Sequence, residues 1–546
     1  MITIPLPARR PRSRLPRLCG AALLILTAHL AAEPTPEAAS GWDLAYRRHF
    51  TNPEAVIPPQ CYTRTEGRFN PCYTCHQAEI PGEGRANLMD DGHLQGAYTF
   101  SAVGLKNHWT NLFVDRRAAI ATISDAQIRA YVAQDNYTPL IRTLHTRGFR
   151  GWIPDLADLA DPARAFDTQG RARDGSGWVA FQYQPLPSTF WPTNGSIDDV
   201  MIRLPPAFRQ DASGQPAWPV YLANLSILEA AIKGLAQIET PPLDERAVGA
   251  DLDGDGRLSS ATHLRRPDHY LGGARDVPVV TFLYPLGTEF LHTVRYLGVD
   301  DRGDIHAPAR MKEVRYLRKE RWLDKATLGV LYDEEAWEKQ QGFLPQIGWQ
   351  GERGAVNGFG WRLQGFIEDA QGELRPQNHE ETFFCKGCHT SIGATIDQSF
   401  AFPRKLPGAR GLGYQNLRGM PDAPMRGETE GEIRQYLRRV GGGDEFRAND
   451  EMRTRWFGAD GQPDVARLAQ AKDIYTLIAP SPERALMLNK AYLILVREQS
   501  FLRGRDATIV PAANVYREVD PDVPPLAPEH RVQGELLLDW SRAHSP

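Results

Sequence analysis

The clearest pattern of apolar and polar positions lies toward the end of the chain. Apolar residues recur at helical spacing over 428–439, 463–478 and 482–503. Ser481 ahead of Pro482 predicts the start of the last of these. A serine side chain caps free N–H groups, and proline suits the first helical position. Earlier, Ser124-Asp125 predicts the start of a helix with Ile128, Tyr131 and Val132 on one face. Apolar spacing predicts another helix from Leu225 to Ile238. Three runs rich in aromatic and β-branched residues read as strands: Trp178–Tyr183, Val279–Tyr284 and Glu289–Tyr296. The Pro-rich stretch 511–546 is expected to wrap the body rather than form a unit of its own.

These elements predict an α+β fold with helical units near both ends of the chain, a mixed α/β insert between them, and long irregular loops. The boundaries read as 1–32, 33–147, 148–375 and 376–546. The first segment reads as a signal peptide. Arg9, Arg10, Arg12, Arg14 and Arg17 precede the short apolar run Ala21–Ala28, and Leu30-Ala31-Ala32 offers small residues for cleavage. That run is too short to anchor the chain across a bilayer, and no later stretch is long and apolar enough to do so. Cys19 stands before the run, not after it, and is expected to leave with the leader. The expected product is a soluble periplasmic or exported protein.

Charge narrows the partners. The chain carries −4, and the leader removes five arginines and no acids, so the mature protein is near −9 (−4 − 5). An acidic surface disfavours nucleic acid and anionic membranes and suits a basic partner protein, such as a small soluble redox cytochrome. With 48 glycines and 42 prolines, the chain must contain many turns and irregular connections.

The chemistry is concentrated in one pentapeptide that occurs twice, Cys72-Tyr-Thr-Cys75-His76 and Cys385-Lys-Gly-Cys388-His389. C-x-x-C-H is the attachment signature of c-type haem. Two thiols three residues apart add to the vinyl groups of one porphyrin, and the adjoining imidazole becomes the proximal iron ligand. A redox C-x-x-C or half a zinc site needs no histidine after the second cysteine. The expected cofactors are therefore two covalently bound haem c groups, with His76 and His389 on iron. Met420-Pro421 and His108 are the expected distal ligands, Met89 and His93 competing with His108. His292 and His379 are further candidates, although a histidine in a strand-like segment such as that of His292 is more often a core residue. Phe190-Trp191 reads either as a haem edge or, more commonly, as a packed loop.

A second metal signal is Asp251-Leu-Asp253-Gly-Asp255-Gly256-Arg257. Carboxylates at positions one, three and five and a carbonyl at seven match the first half of an EF-hand loop. The twelfth position is Thr262, so the closing bidentate glutamate is missing. A structural Ca2+ held by Asp251, Asp253, Asp255 and the Arg257 carbonyl is expected.

The paired pentapeptides resemble di-haem c-type cytochromes, distantly the bacterial di-haem cytochrome c peroxidase group. That resemblance implies two haems and calcium between haem units. The 313 residues between the motifs (385 − 72) are many more than the compact peroxidases have. A peroxidase also needs an acid–base group over one haem, and nothing in the sequence assigns Glu380 or Glu381 to that place. With four cysteines holding haem and Cys19 leaving with the leader, no cysteine remains to form an intramolecular disulfide with Cys61; it reads as a buried thiol or as a haem-ligating or sulfur-carrying one, the latter similar to thiosulfate-oxidising di-haem cytochromes. The expectation is an exported di-haem c-type cytochrome that transfers electrons, the alternative being a haem-based redox enzyme, peroxidase-like or acting on sulfur compounds through Cys61.

Overall fold

The computed structural model describes residues 52, 55–77, 98, 100–187, 190–343, 348–388, 394–399, 401–439, 449–532 and 536–543, with 386–388 by backbone alone. The predicted leader, Met89, His93 and His389 lie outside the described residues. Residues Ser40–Pro546 form one compact unit, mixed α+β in class.

The aromatic and β-branched run Glu289–Tyr296 does form a strand, over Glu289–Arg295, and it lies within the main sheet. That sheet comprises β1 (Val179–Ala180), β2 (Ile197–Arg203), β5 (Glu289–Arg295), β8 (Met311–Lys319), β9 (Gly348–Trp349), β10 (Ala355–Val356), β11 (Trp361–Glu368) and β12 (Leu374–Pro376). Its order is β1-β2-β5-β8-β11-β10-β9, with β12 also paired to β11 and every pairing antiparallel. Two short hairpins stand apart: β3 (Gln237–Asp244) with β4 (Ser260–Arg265), and β6 (Gly298–Val299) with β7 (Ile305–His306). One row across the four central strands reads Val200, His292, Arg315, Gly365. Side chains in such a row share one face of the sheet.

The other two expected strands fared differently. In Trp178–Tyr183 only Val179–Ala180 joins the ladder, while Phe181 and Tyr183 make single bridges to Leu412 and Lys405. Val279–Tyr284 is no strand. Phe282 takes a positive φ of 62° and donates its N–H to the Ala231 carbonyl, so the run is a buried loop beneath a helix. Its apolar character comes from that burial, and periodicity does not distinguish the two cases.

The helix expected over 225–238 runs from Trp218 to Ile232. It is apolar on all sides and buried almost throughout, as a helix under a sheet must be. Its one buried acid, Glu229, is neutralised by Lys233 at 2.5 Å and Lys405 at 2.9 Å. The capped helix Asp125–Val132 forms as expected, with Ser124 and Gln127 exchanging bonds in a capping box. The last long helix, Pro482–Glu498, is capped by Ser481 and ends where Gln499 turns left-handed. Ile120, Ile128 and Val132 pack into one cluster with Leu486, Leu493 and Val496, joining the two ends of the chain. The segment 463–478 does not make one helix. Asp473 caps a new start, leaving Val465–Ala469 and Ile474–Ile478, because an aspartate side chain competes for backbone N–H groups.

The proline-rich tail does wrap the body. Arg64 N donates to Asn514 O at 2.8 Å, Tyr516 N to Tyr62 O at 2.8 Å, Asn70 N to Pro524 O at 3.0 Å and Val532 N to Tyr73 O at 2.9 Å. Farther on, Leu538 bridges to Met425. Thus the last residues of the chain fasten the segment that carries the first pentapeptide.

Candidate functional site

The first pentapeptide is built on a single tight turn. Cys72–Thr74 is a 3-10 turn, and the Cys75 and His76 amides both donate to the Cys72 carbonyl, at 3.2 and 2.9 Å. Pro71 before it and Asn70, whose side chain accepts the Cys72 N–H at 3.3 Å, fix the entry of the chain. Cys72 is 4 % exposed and His76 8 % exposed. Cys72, Cys75 and His76 all line one cavity, together with Cys61.

The first cysteine of the second pentapeptide, Cys385, comes to the same cavity. Cys385 and Cys388 sit at the end of the helix His379–Cys388, and Phe384 and Cys385 form part of the wall. The helix is placed by a dense set of polar contacts. Asn378 and Glu381 exchange backbone-to-side-chain bonds at 2.7 and 2.8 Å, a capping box at its start. Glu381 also takes both guanidinium nitrogens of Arg375, at 2.8 and 2.9 Å. Burial alone would push the Glu381 carboxyl up, but Arg375 beside it holds it below its ordinary value. Arg505 donates to the Glu381 carbonyl and, at 3.0 Å, to Glu313 on β8. Burial is likewise outweighed at Glu313, where Arg315 and Arg505 hold the carboxyl down to about 2. Phe384 meets Trp109 edge-on at 5.6 Å, packing the second motif's helix against the first motif's cluster.

The sheet is the floor between these walls. Val200, Phe290, His292, Arg315 and Leu363 face the cavity from the four central strands, and Asp198 and Tyr183 stand at its edge. His292 Nε2 lies 3.6 Å from Asp198 Oδ2 and has no hydrogen-bond partner. Asp198 Oδ2 accepts the Tyr183 hydroxyl at 2.5 Å. Burial, followed by the Asp198 charge, pushes the Tyr183 phenol well above its ordinary value, so it stays a donor. Phe190 meets the His292 ring edge-on at 5.6 Å. Phe190 thus faces the cavity while its neighbour Trp191 is wholly buried elsewhere in the core.

The cavity between the walls has a volume of about 190 Å3 and opens to solvent. Native interiors leave few voids larger than a water molecule. A space bounded by thiols, an imidazole and apolar side chains suits, in its chemistry, a mostly apolar group attached through sulfur. Haem c has those properties, and Cys72, Cys75 and His76 stand in the one turn its attachment needs.

Two of the expected ligands are not brought here. His108 is turned away, its Nε2 3.3 Å from the Val103 carbonyl, because its neighbour Trp109 points inward and donates to Ile57 O at 2.8 Å. Met420 is buried in another cluster, with Trp191, Ile433 and Leu437, and is tied there by Ile474 N on its carbonyl. Neither lines the cavity. His379 packs on Phe383 and Trp349 instead. Glu380 is buried, and its carboxylate accepts the Asn52 N–H.

The acidic loop differs from its expected ligand set. Ligand oxygens of Asp251, Asp253 and Glu245 all lie within 4.8 Å of one another. Such separations suit calcium, whose oxygen ligands sit at about 2.3–2.6 Å. Asp255 is not in this group; its side chain accepts the Arg257 N–H at 2.7 Å. Glu245, fully buried, comes from the short helix ahead of the loop, and its carboxylate accepts the Leu252 and Ser259 amides at 2.6 and 2.8 Å. A motif read forward from Asp251 misses a carboxylate six residues before it.

Fold and site together define an α+β protein with a cavity between two cysteine-bearing segments. A family model described as a "-like lipoprotein" matches residues 45–476. An uncharacterised lipoprotein of Aquifex aeolicus (strain VF5) is 32 % identical over 519 residues, covering 83 % of this chain and 86 % of the relative. The chain belongs to this lipoprotein family. No solved structure matches. A lipoprotein family is one of exported proteins, in agreement with the basic and apolar N-terminal segment. Among the described residues no helix is long and apolar enough to cross a membrane. The comparisons overturn the expected assignment to electron transfer, and with it the redox-enzyme alternative. Family and relative are described as lipoproteins, with no mention of haem or electron transfer.

Proposed function

We propose that this chain is an exported haem-binding protein of its lipoprotein family, carrying covalently attached haem c at both pentapeptides. The single observation that supports this reading is the convergence of Cys72, Cys75, His76 and Cys385 on one cavity. Cys72 and Cys75 would attach the first group: each S–H adds across a vinyl, sulfur bonding to one carbon and hydrogen to the other. His76 would coordinate its iron, while Cys385 and Cys388 with His389 would do the same for the second group. When bound, haem supplies an iron centre whose properties follow its axial ligands. The chain's own part is to hold the porphyrin in a largely apolar space and restrict water there.

Asp251, Asp253 and Glu245 would hold a structural Ca2+ in the loop between β3 and β4. Export to the periplasm is the finer localisation proposed.

The test is haem content after acid–acetone extraction of protein matured in an exporting host with haem-attachment machinery. Two extraction-resistant haems per chain are expected by the pyridine haemochrome assay. None would overturn the reading.

A further inference from the structure

We propose that a second cavity, at the start of β2, binds a small organic cation: an amine or guanidinium carried on an apolar body. It has a volume of about 730 Å3, against about 190 Å3 for the thiol-lined cavity, with which it shares Pro185, Phe190 and Asp198. Small-molecule sites commonly measure about 300–1,000 Å3 and are lined by aromatic rings with a few placed polar groups. This one is assembled from stretches far apart in sequence. The loop after Asp161, the start of β2, the β6–β7 hairpin and Tyr414–Arg418 meet there, with Tyr475 from the helix Ile474–Ile478. Asp161, Asp300 and Asn416 are exposed, so a ligand can enter, whereas Phe166 is buried.

The walls have the chemistry of cation recognition. Asp161, Asp167, Asp198, Asp300 and Asp304 line them against Arg173 and Arg418, a balance of −3 (−5 + 2) with His306 neutral. A cleft dominated by one sign of charge concentrates ligands of the other. Both arginines are already engaged. Arg173 Nε donates to the Phe166 carbonyl at 2.9 Å, and Arg418 pairs with Asp304 at 2.7 Å. Asp161, Asp167 and Asp300 each use Oδ1 to accept amides of their own turns, at 2.8–3.2 Å, while Oδ2 takes no hydrogen bond among the described residues. The walls therefore offer negative charge, and the ligand must bring the positive one. Aromatic rings complete the set, because a ring face attracts a cation. Phe166 and Tyr414 are stacked at 6.2 Å. Tyr475, whose hydroxyl accepts the Ile305 N–H at 2.8 Å, carries the Arg418 guanidinium 3.7 Å from its ring centre. Arg418, between Tyr475 and Asp304, shows these walls holding a cation that belongs to the chain itself.

The experiment is isothermal titration calorimetry of the matured full chain with spermidine and with arginine amide. Maltose serves as the neutral ligand that aromatic walls could also stack. One-to-one binding of at least one of the cations, with a dissociation constant below about 1 mM, is expected, weakening as salt is raised, with none for maltose. The double variant Asp167→Asn/Asp300→Asn keeps amide oxygens to accept the N–H groups of both turns. It should bind about tenfold more weakly, since hydrogen bonds to charged groups are the strong ones. Asp211 builds the same kind of turn outside the cavity, its Oδ1 accepting the Ser213 and Gln215 amides at 2.8 and 3.0 Å. Asp211→Asn should therefore bind as wild type does, and melting curves on the same samples report whether each variant is folded. If neither cation binds wild type below that limit, the inference is overturned. An equal loss in Asp211→Asn would overturn it too, because overall acidity and not the cavity would then hold the cation. Saturable binding of maltose without the cations would overturn the ligand class.

Discussion

The cavity and the acidic loop were both visible as short motifs, yet the structure treats them in opposite ways. In the loop the carboxylates are already engaged. Asp251 accepts the Gly254 and Gly256 amides at 2.7 and 2.9 Å, Asp253 that of Asp255 at 3.1 Å, and Glu245 those of Leu252 and Ser259. The backbone therefore organises the loop, and a cation adds to a shape that exists without it. At the cavity the chain supplies walls and leaves the centre unfilled, with Gln60 Oε1 and His292 Nε2 buried and lacking hydrogen bonds. There a group bound at the proposed site would become part of the core. Losing what each site holds should accordingly cost far more at the cavity than at the loop.

The largest expected effect breaks the cavity. Replacing both Cys72 and Cys75 with serine should reduce covalent haem from two to one per chain, since both thioethers of the first group are lost. The intact mass should fall by one haem, and the melting temperature should fall with it. Two haems retained would show that the first pentapeptide is not an attachment site and would remove the contrast with the loop.

Next comes the scaffold that carries the second motif to the cavity. Glu313→Gln leaves Arg505 and Arg315 facing an amide where a carboxylate stood at 2.9–3.0 Å. Breaking a buried ion pair from one side costs about 3–5 kcal/mol, measurable as a lower urea midpoint. The same residue predicts acid sensitivity. Its folded-state value of about 2 lies below its ordinary 4.5. Its contribution is thus complete above about pH 4.5 and is lost as pH falls toward 2. The variant should lose that part of the acid slope.

Glu368 gives a slope of the opposite sign. It is fully buried, and burial, with Arg310 opposing, pushes its carboxyl from 4.5 up to about 7. A raised folded value means that the native state binds the proton more tightly than the unfolded one. Stability from this group is complete below about pH 4.5 and declines as pH rises through 7. Glu368→Gln, which keeps an acceptor for Tyr131, Tyr296 and Arg310, should flatten the pH dependence of the melting temperature between 4.5 and 7. An unchanged slope would mean that other groups set it.

Local chemistry accounts for what was legible in the sequence. The Ser124 and Ser481 caps, the aromatic and β-branched run Glu289–Tyr296 and the proline-rich tail were read correctly because each is decided by residues close in sequence. The run 279–284 was misread because a buried loop and a buried strand are equally apolar. His108 and Met420 were misplaced for a related reason. Proximity to a motif in sequence suggested a ligand, but the inward turn of Trp109 and the packing of Ile433 and Leu437 around Met420 decided the outcome. The meeting of the motifs, 313 residues apart, depends on a sheet whose strands come from between them (385 − 72). Glu245 became visible only in three dimensions, since it lies six residues before the loop whose Asp251 and Asp253 it joins.

The smallest effects test the loop, and they separate its two acid classes. If calcium binds through Glu245, Asp251 and Asp253, saturating metal at a hundred times its dissociation constant should add about 2.7 kcal/mol, and chelator should remove it. Glu245→Gln should abolish that increment, although it also weakens acceptance of the Leu252 and Ser259 amides and so lowers the chelated baseline. Asp255→Asn separates these effects. Asp255 is exposed and lies outside the cluster, and its asparagine can still accept the Arg257 N–H. Exposed substitutions of this kind usually stay within about 0.5 kcal/mol. Asp255→Asn should therefore keep both the calcium increment and the chelated baseline of wild type. If instead it loses the increment as Glu245→Gln does, the loop closes around calcium through its own first, third and fifth positions, and the backbone-built arrangement is not the one that binds metal.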